Sequence, residues 1–476
     1  MNVQRIALNT IYLLTGKLLC GLLSVVTLAM IARHLGVAKY GVYIYGLVYI
    51  SIFNIICMFG IDPILIRESV RDSSAMPRLL GAGMMIRGLV SLLGFGASIG
   101  IVRQSMSDGL TIHIVMVLSL SLLFTTLQTP RIVFEATLKS QYLLLVDLFT
   151  RLLAFCLVVI AIRMQFSVVE FAWIYLGVEL SGAVLLNVLA WRFIRPSILI
   201  DLRILRWIFY QSWPLAVTSI CVVLYFRIDT VMLQHFRGSI EVAYYNSAYY
   251  LMASLMIIPE SYARSIFPVM SGFFEHSMDK FVEIFTRSLK YLVTAAIPVS
   301  LGGIMLAPEI IRFVFGDAFL PASSALRVLS QAAAIIFISY LASATINALN
   351  HQKFNMYFAM SIAMVNIMLN LWVIPRWGYL GASWTTVITE GAGCSLALAF
   401  TLRRFNIRWR GLFSIRGVGL LVASAILLLT IRFLDGWHVL IILTVLLCVY
   451  ALALWLFRWF DDTDRSLMRQ VLQRLQ

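Results

Sequence analysis

The chain has 476 residues, 61% of them hydrophobic and only 12% charged, where an average soluble domain carries roughly 25% charged residues. A water-soluble globule has no surface to offer at that charge density, whereas the apolar content suffices for about a dozen or more bilayer crossings at roughly 20 residues each. The net charge of +15 would suggest nucleic acid in a soluble protein; here it divides first between loop-sided bias and intramembrane sites, and no nucleic acid is expected as a partner.

The first apolar run, Ile6 to Ala32, is too long for a signal-peptide core and lacks a small-residue cleavage site, so it reads as a retained first span. Thirteen more follow, giving spans near 6-32, 41-65, 79-102, 110-134, 142-162, 168-192, 207-234, 242-268, 287-311, 322-349, 355-374, 378-402, 413-433 and 437-457. No connection exceeds about twenty residues, shorter than any independently folding domain, so no large extramembrane catalytic domain is expected. Lys and Arg near span ends stay on the cytoplasmic side. An inside N-terminus places 22 of them in the cytoplasm and 8 outside, which favours two cytoplasmic termini.

The chain repeats itself. Gly36-Val37-Ala38-Lys39-Tyr40-Gly41-Val42-Tyr43 returns as Gly238-Ser239-Ile240-Glu241-Val242-Ala243-Tyr244-Tyr245, and the run Ala136 to Tyr142 as Ala348 to Phe354. Trp173, Glu179 and Gly182 match Trp384, Glu390 and Gly393. Three matches in one order at nearly one offset relate spans 1 to 6 to spans 7 to 12. Six is even, so the copies are parallel repeats about an axis along the membrane normal, with a binding cavity expected between them. The expected fold is an all-α polytopic membrane protein of about 14 transmembrane helices. Residues 1-195 form an N-lobe, 196-206 a cytoplasmic linker, 207-402 a C-lobe and 403-460 two added helices; 461-476 form an amphipathic cytoplasmic tail, expected to anchor to the membrane surface rather than to bind a partner.

Seven cations fall within spans: Lys17, Arg87, Arg151, Arg227, Arg264, Lys290 and Arg327. Each costs on the order of 2.5 to 3.5 kcal/mol if it faces lipid at mid-depth, so they are expected to face a watery interior. Only Asp229, Glu179 and Glu390 are comparably deep carboxylates, and Glu260, Glu309, Asp62 and Asp147 lie nearer span ends. A positive, partly dehydrated cavity suits an anion such as phosphate. Lys17 and Arg264 are the first candidates for contact with it, followed by Arg227, Arg87 and Lys290; snorkelling or carboxylate pairing is the alternative for each. Asp229 is a candidate for proton or cation coupling or for a structural bond, and the symmetry of Glu179 and Glu390 argues more for packing than for coupling.

The six cysteines lie in apolar stretches without a CxxC and read as buried packing residues, and no metal site is expected from them or from the scattered histidines. Pro63, Pro214, Pro259, Pro268, Pro298 and Pro308 are expected to break or kink helices. GxxxxGK[ST] and HExxH are absent, and no Ser, His and Asp set is marked as a triad, so neither an ATPase nor a hydrolase is expected, and there are no candidate catalytic residues and no cofactor.

The run Ile31 to Tyr43 resembles the N-terminal signature of bacterial polysaccharide flippases of the Wzx type. Asp229-Thr230-Val231-Met232-Leu233 with Gly238 and Val242 to Ala248 resembles their second-half signature, and Ala348 to Phe354, Asn366, Asn370 and Gly378 to Ser383 resemble the region of spans 10 to 12. The resemblance covers nearly the whole chain. It implies the multidrug/oligosaccharidyl-lipid/polysaccharide exporter fold and movement of an undecaprenyl pyrophosphate-linked oligosaccharide, an O-antigen or exopolysaccharide repeat unit, to the periplasmic leaflet of the bacterial inner membrane. It also implies alternating access, possible proton or sodium coupling, and a polysaccharide polymerase and chain-length regulator as partners. A drug or small-molecule exporter of the same fold is the nearer alternative; a membrane-embedded polymerase or ligase is disfavoured because the longest polar connections lie on the expected cytoplasmic side.

The topology is open to direct test. Green fluorescent protein fused after Gln476 is expected to fluoresce, and alkaline phosphatase fused at Lys39 or Arg237 to be active; the reverse pattern overturns the assignment.

Overall fold

A computed structural model describes residues 3–197, 201–349, 352–405, 416–433, 437–457 and 459. The expected tail helix 461-476 lies outside the described residues. The order is α1 (Val3–Met58), α2 (Ile61–Arg71), α3 (Met76–Ser105), α4 (Gly109–Ser119), α5 (Ser121–Phe124), α6 (Arg131–Ala136), α7 (Ser140–Arg163), α8 (Val168–Trp191) and α9 (Leu202–Arg237). It continues with α10 (Ser239–Leu255), α11 (Ile257–His276), α12 (Met278–Met305), α13 (Ala307–Phe315), α14 (Ala322–Ala348), α15 (Gln352–Phe405), α16 (Arg416–Phe433) and α17 (Val439–Leu456). No strand occurs among the described residues.

Ten helical stretches of the described residues are long and apolar enough to cross a membrane, and two of these, Leu19–Arg71 and Met356–Arg403, each contain two expected spans. The span expected at 242-268 is divided between α10 and α11 at Met256. That at 413-433 is represented by the apolar stretch Leu420–Thr430. The all-helical architecture expected from the apolar runs is the one observed, with more internal breaks than hydropathy alone indicates.

The breaks follow from proline chemistry. Pro63, Pro259 and Pro308 stand in the first turns of α2, α11 and α13, where the missing N–H has no intrahelical partner to lose. The chain therefore breaks just before each of them, at Phe59–Gly60, Met256 and Leu306. Pro214, Pro268 and Pro298 instead lie inside continuous helices.

Packing divides the chain into two compact units. The first contains Met1–Ser254, Val314–Phe319 and Met356–Thr385; the second contains Leu255–Phe313, Leu320–Asn355 and Thr386–Gln476. In the first, Ile61, Leu65, Leu80, Ile132 and Ile208 form a buried cluster joining α2, α3, α6 and α9. Small hydroxyl residues bring α3 against α4 and the turn after α5: Ser98 Oγ donates to Ser119 Oγ at 3.1 Å and Ser91 Oγ meets Thr125 Oγ1 at 2.5 Å. Such side chains allow close approach and satisfy each other where no water is at hand. In the second unit Phe281, Phe285, Phe337 and Leu341 form the α12–α14 core. The C-terminal pair is tied to α12 through Thr294, whose carbonyl accepts from Tyr450 Oη at 3.0 Å and whose hydroxyl accepts from Trp459 Nε1 at 2.9 Å.

The turns on the expected outer side are short and interlocked within the first unit. Gly36 and its repeat partner Gly238 both have positive φ, 71° and 88°, so the duplicated glycine marks a duplicated left-handed turn. Arg33 Nε donates to the Val314 carbonyl at 3.0 Å. Glu241 receives Arg237 Nε at 3.1 Å and the backbone N–H of Tyr379 at 2.8 Å. That N–H is freed by the break inside α15 at Gly378, where φ is 55° and ψ −138°. Elsewhere on this side Asp108 caps α4, accepting from the N–H groups of Leu110 and Thr111. The Thr111 hydroxyl holds the Asp108 carboxyl below the usual carboxylate range. A carboxyl depressed in the folded state adds stability that is full above its unfolded pKa and is lost as pH falls through its folded value.

The cysteines depart in part from expectation. Cys57 and Cys394 are buried, but Cys156 and Cys448 are exposed on helix surfaces, because a thiol facing hydrocarbon needs no protein cover.

Gly378 supplies the test of this arrangement. An added Cβ there would strike the Glu241 carboxylate in a backbone region that L-residues rarely adopt, so Gly378→Ala is expected to cost about 1–3 kcal/mol. Gly100→Ala, with open space around it, should leave the unfolding midpoint in detergent unchanged or slightly raised. Equal midpoints for both variants would contradict the assignment.

Candidate functional site

The first unit gathers most of the intramembrane charge. Arg87, on α3, is 1% exposed. Its Nη2 donates to Asp62 Oδ1 at 2.5 Å and to the Met58 carbonyl at 3.5 Å, and its Nη1 donates to Thr129 Oγ1 at 3.2 Å. Met58 is the last residue of α1, so its carbonyl has lost its helical partner. Arg87 thus closes the helix end that the Gly60 break opens. In this conformation it offers no surface to a ligand, unlike the anion contact the sequence suggests.

One turn further along the chain, Arg131 forms a two-pronged pair with Asp147: Nη1 to Oδ1 at 3.1 Å and Nη2 to Oδ2 at 3.0 Å. Its Nε lies 3.5 Å from Glu135. Arg131 and Asp147 flank a cavity of about 460 Å³ lined from α1 by Gly16, Cys20, Gly21 and Ser24, and from α7 by Ser140, Leu143, Leu144 and Arg151. Glu179 lies within electrostatic range of Arg151 and Asp147, and Gln128 Nε2 approaches its Oε2 at 3.4 Å.

A third group lies on α9 and α10. The Arg227 guanidinium stands 5.9 Å and 5.8 Å from the ring centres of Tyr249 and Tyr250, a cation–π arrangement. Its Nη1 is buried with no hydrogen-bond partner among the described residues. Asp229, two residues on, points elsewhere and is buried. It accepts from the Tyr245 hydroxyl and from the Thr230 N–H, and Thr230 is joined in turn to Asn246 at 3.1 Å.

In the second unit Arg264 pairs with Glu260 at 2.7 Å across one helical turn, its side chain 72% exposed. Lys290 Nζ lies 5.2 Å from the centre of the Trp459 ring. Glu390 lies within electrostatic range of Tyr340. The Lys17 side chain lies outside the described residues.

A protein family described as "Polysaccharide biosynthesis protein" matches residues 6–274, more than half of the chain. The chain belongs to this family. A second family, MatE, matches residues 214–372. The chain is 23% identical over 249 residues to a probable flippase, AglR, of Haloferax volcanii, a match taking in 49% of this chain and 51% of that relative. The chain thus spans about half the length of that relative in the match. Among solved structures it resembles the lipid II flippase MurJ in an inward closed conformation, with a TM-score of 0.76 and 16% identity over 97% of this chain and 100% of that one. It also resembles an inward-facing MATE family transporter of the MOP superfamily, with a TM-score of 0.65 and 16% identity over 84% and 94% of the two chains. At such identities the likeness is one of fold, a two-lobed MurJ/MATE-like fold.

Asp62, Arg131, Glu135 and Asp147 are the charged residues that the sequence did not select. Arg131 stands near a span end, among the 22 cations that the sequence places on the cytoplasmic side. The available signal was its opposite charge to Asp147 across the turn at Leu138, whose φ of 54° folds α6 back beside α7.

The Arg87–Asp62 pair yields a coupling measurement. Asp62→Ala alone leaves a buried guanidinium short of its carboxylate and should destabilise by about 3–5 kcal/mol. Asp62→Ala with Arg87→Met should recover part of that loss, a coupling of about 1–3 kcal/mol in a double-mutant cycle. Additive losses would show that the pair does not hold α2 against α3.

Proposed function

We propose that this family member is a flippase that moves a lipid-linked glycan across the membrane and is not an enzyme. Membership of a polysaccharide biosynthesis family, joined to a fold shared over the whole length of a lipid II flippase, is the observation that carries this reading. The name of a second relative, a probable low-salt glycan biosynthesis flippase of Haloferax volcanii, 24% identical over 185 residues, is consistent with it.

In finer terms, the substrate is an undecaprenyl pyrophosphate-linked oligosaccharide, an O-antigen or exopolysaccharide repeat unit. It travels from the cytoplasmic to the periplasmic leaflet of a bacterial inner membrane, in which both termini are cytoplasmic. Lys17, Arg264 and Arg227 attract the pyrophosphate, with Lys290 as a further contact. The unpartnered Nη1 of Arg227 and the exposed side chain of Arg264 support this choice. The two sequence copies rock to give alternating access while the polyprenyl tail stays in lipid. An interior-negative potential favours outward movement of negative charge by about 2.3 kcal/mol per charge per 100 mV. Proton or sodium coupling is assigned to Asp229, with Glu179 and Glu390 as further candidates. A polysaccharide polymerase and a chain-length regulator would receive the product.

The MatE match over 214–372 favours a second reading, a small-molecule or drug exporter. Gene deletion separates the two. The flippase reading expects loss of surface glycan and accumulation of the lipid-linked intermediate, restored by the wild-type gene. Lys17→Ala with Arg264→Ala should restore less than about a tenth, because a lost charge-assisted contact costs roughly 1.5–3 kcal/mol. Normal surface glycan without accumulated intermediate would overturn it, and full rescue by the doubly neutral variant would favour the exporter.

A further inference from the structure

The cavity beside Arg131 and Asp147 has a chemistry different from that of a phosphate site. Arg131 already has its carboxylates, paired with Asp147 and near Glu135, and Arg151 lies in electrostatic range of Glu179. Among the described side chains two cations face three carboxylates, with no surplus positive charge. An anion at Arg131 would have to displace a carboxylate from a two-pronged pair, among the stronger of side-chain contacts.

A neutral polyol meets no such obstacle. The Arg131 and Asp147 side chains are each 41% exposed, so the pair presents a flat plate of donors and acceptors to the cavity. In the pair each carboxylate oxygen keeps a second lone pair, while the guanidinium retains N–H groups beyond the two it gives to Asp147. Adjacent hydroxyls of a sugar ring can donate to the one and accept from the other. Leu144 supplies an apolar wall for the C–H face of the ring, and Ser24 adds a hydroxyl. Gly21 keeps the facing wall low: a Cβ there would meet nothing within 4 Å. A volume of about 460 Å³ falls in the usual range of small-molecule sites, about 300–1,000 Å³.

We propose that this cavity, between the first part of α1 and helices α6 and α7, is a saccharide subsite that takes a neutral sugar of the lipid-linked glycan while the pyrophosphate binds elsewhere. The proposal rests on the flippase reading and adds to it a separate place for recognition of the glycan.

The test uses the purified full-length chain in lipid nanodiscs and two probes: undecaprenyl pyrophosphate without sugars, and the lipid-linked oligosaccharide extracted from the deletion strain. Two variants probe the cavity. Gly21→Leu fills it without altering any charge; Arg131→Gln with Asp147→Asn removes the plate while keeping the net charge. Each is expected to weaken binding of the sugar-bearing lipid about tenfold, the effect of one or two lost hydrogen bonds to charged groups, and to leave the sugar-free lipid within about twofold of wild type. Equal loss for both lipids, or no loss for the sugar-bearing lipid with either variant, overturns the subsite while the flippase reading stands. Binding of neither lipid by the wild-type chain overturns the flippase reading and the subsite with it.

Discussion

In hydrocarbon each backbone N–H and C=O must find a partner inside the protein, and the architecture follows from that requirement. It makes the described residues predominantly helical, without a strand among them. It also makes each interruption an obligation, since a break frees groups that no solvent will satisfy. Met58 O, freed at Gly60, is met by Arg87; Tyr379 N, freed at Gly378, is met by Glu241. Charged side chains buried in this protein are thus in part caps for broken helices. The break and the charge are two halves of one device, which ties α3 to the end of α1 and α10 to the middle of α15.

The same requirement changes what the charge excess means. Counted along the sequence, the intramembrane cations exceed the deep carboxylates. In three dimensions Asp62 reaches Arg87, and Asp147 and Glu135 reach Arg131, so carboxylates that belong to span ends in the sequence balance two of the first unit's guanidinium groups. The first unit then contains two kinds of polar interior: one where guanidinium groups are balanced by carboxylates, and one around Arg227 where tyrosine rings do part of that work.

The fold was largely legible because lipid imposes length and hydropathy on every crossing. The repeat was legible too, since Gly36 and Gly238 keep the left-handed turns that only glycine accepts readily. The site was less so. Lys17, Arg87 and Arg227 stand out as cations in apolar runs, but whether a cation meets a carboxylate depends on how distant segments pack. Arg131 shows the difficulty: rules of topology claim any cation near a span end, and that claim hides a side chain turned inward. Conversely Arg87 looked available and is spent on Asp62 and a carbonyl. Proline misled less than expected, since Pro63, Pro259 and Pro308 mark breaks one or a few residues ahead of themselves, in the way first-turn prolines do.

The interlocked turns at Gly36, Gly238 and Gly378 have a consequence for how the protein meets its surroundings. Glu241 joins the turn at Gly238 to the one at Gly378, and Arg33 joins the turn at Gly36 to Val314. The described connection between α8 and α9, by contrast, runs free of helix from Arg192 and carries Arg192, Arg195 and Asp201. A protease would therefore meet irregular backbone at this connection, pinned at Ser197 by its N–H to the Pro77 carbonyl, and short turns held by side chains at Gly36, Gly238 and Gly378.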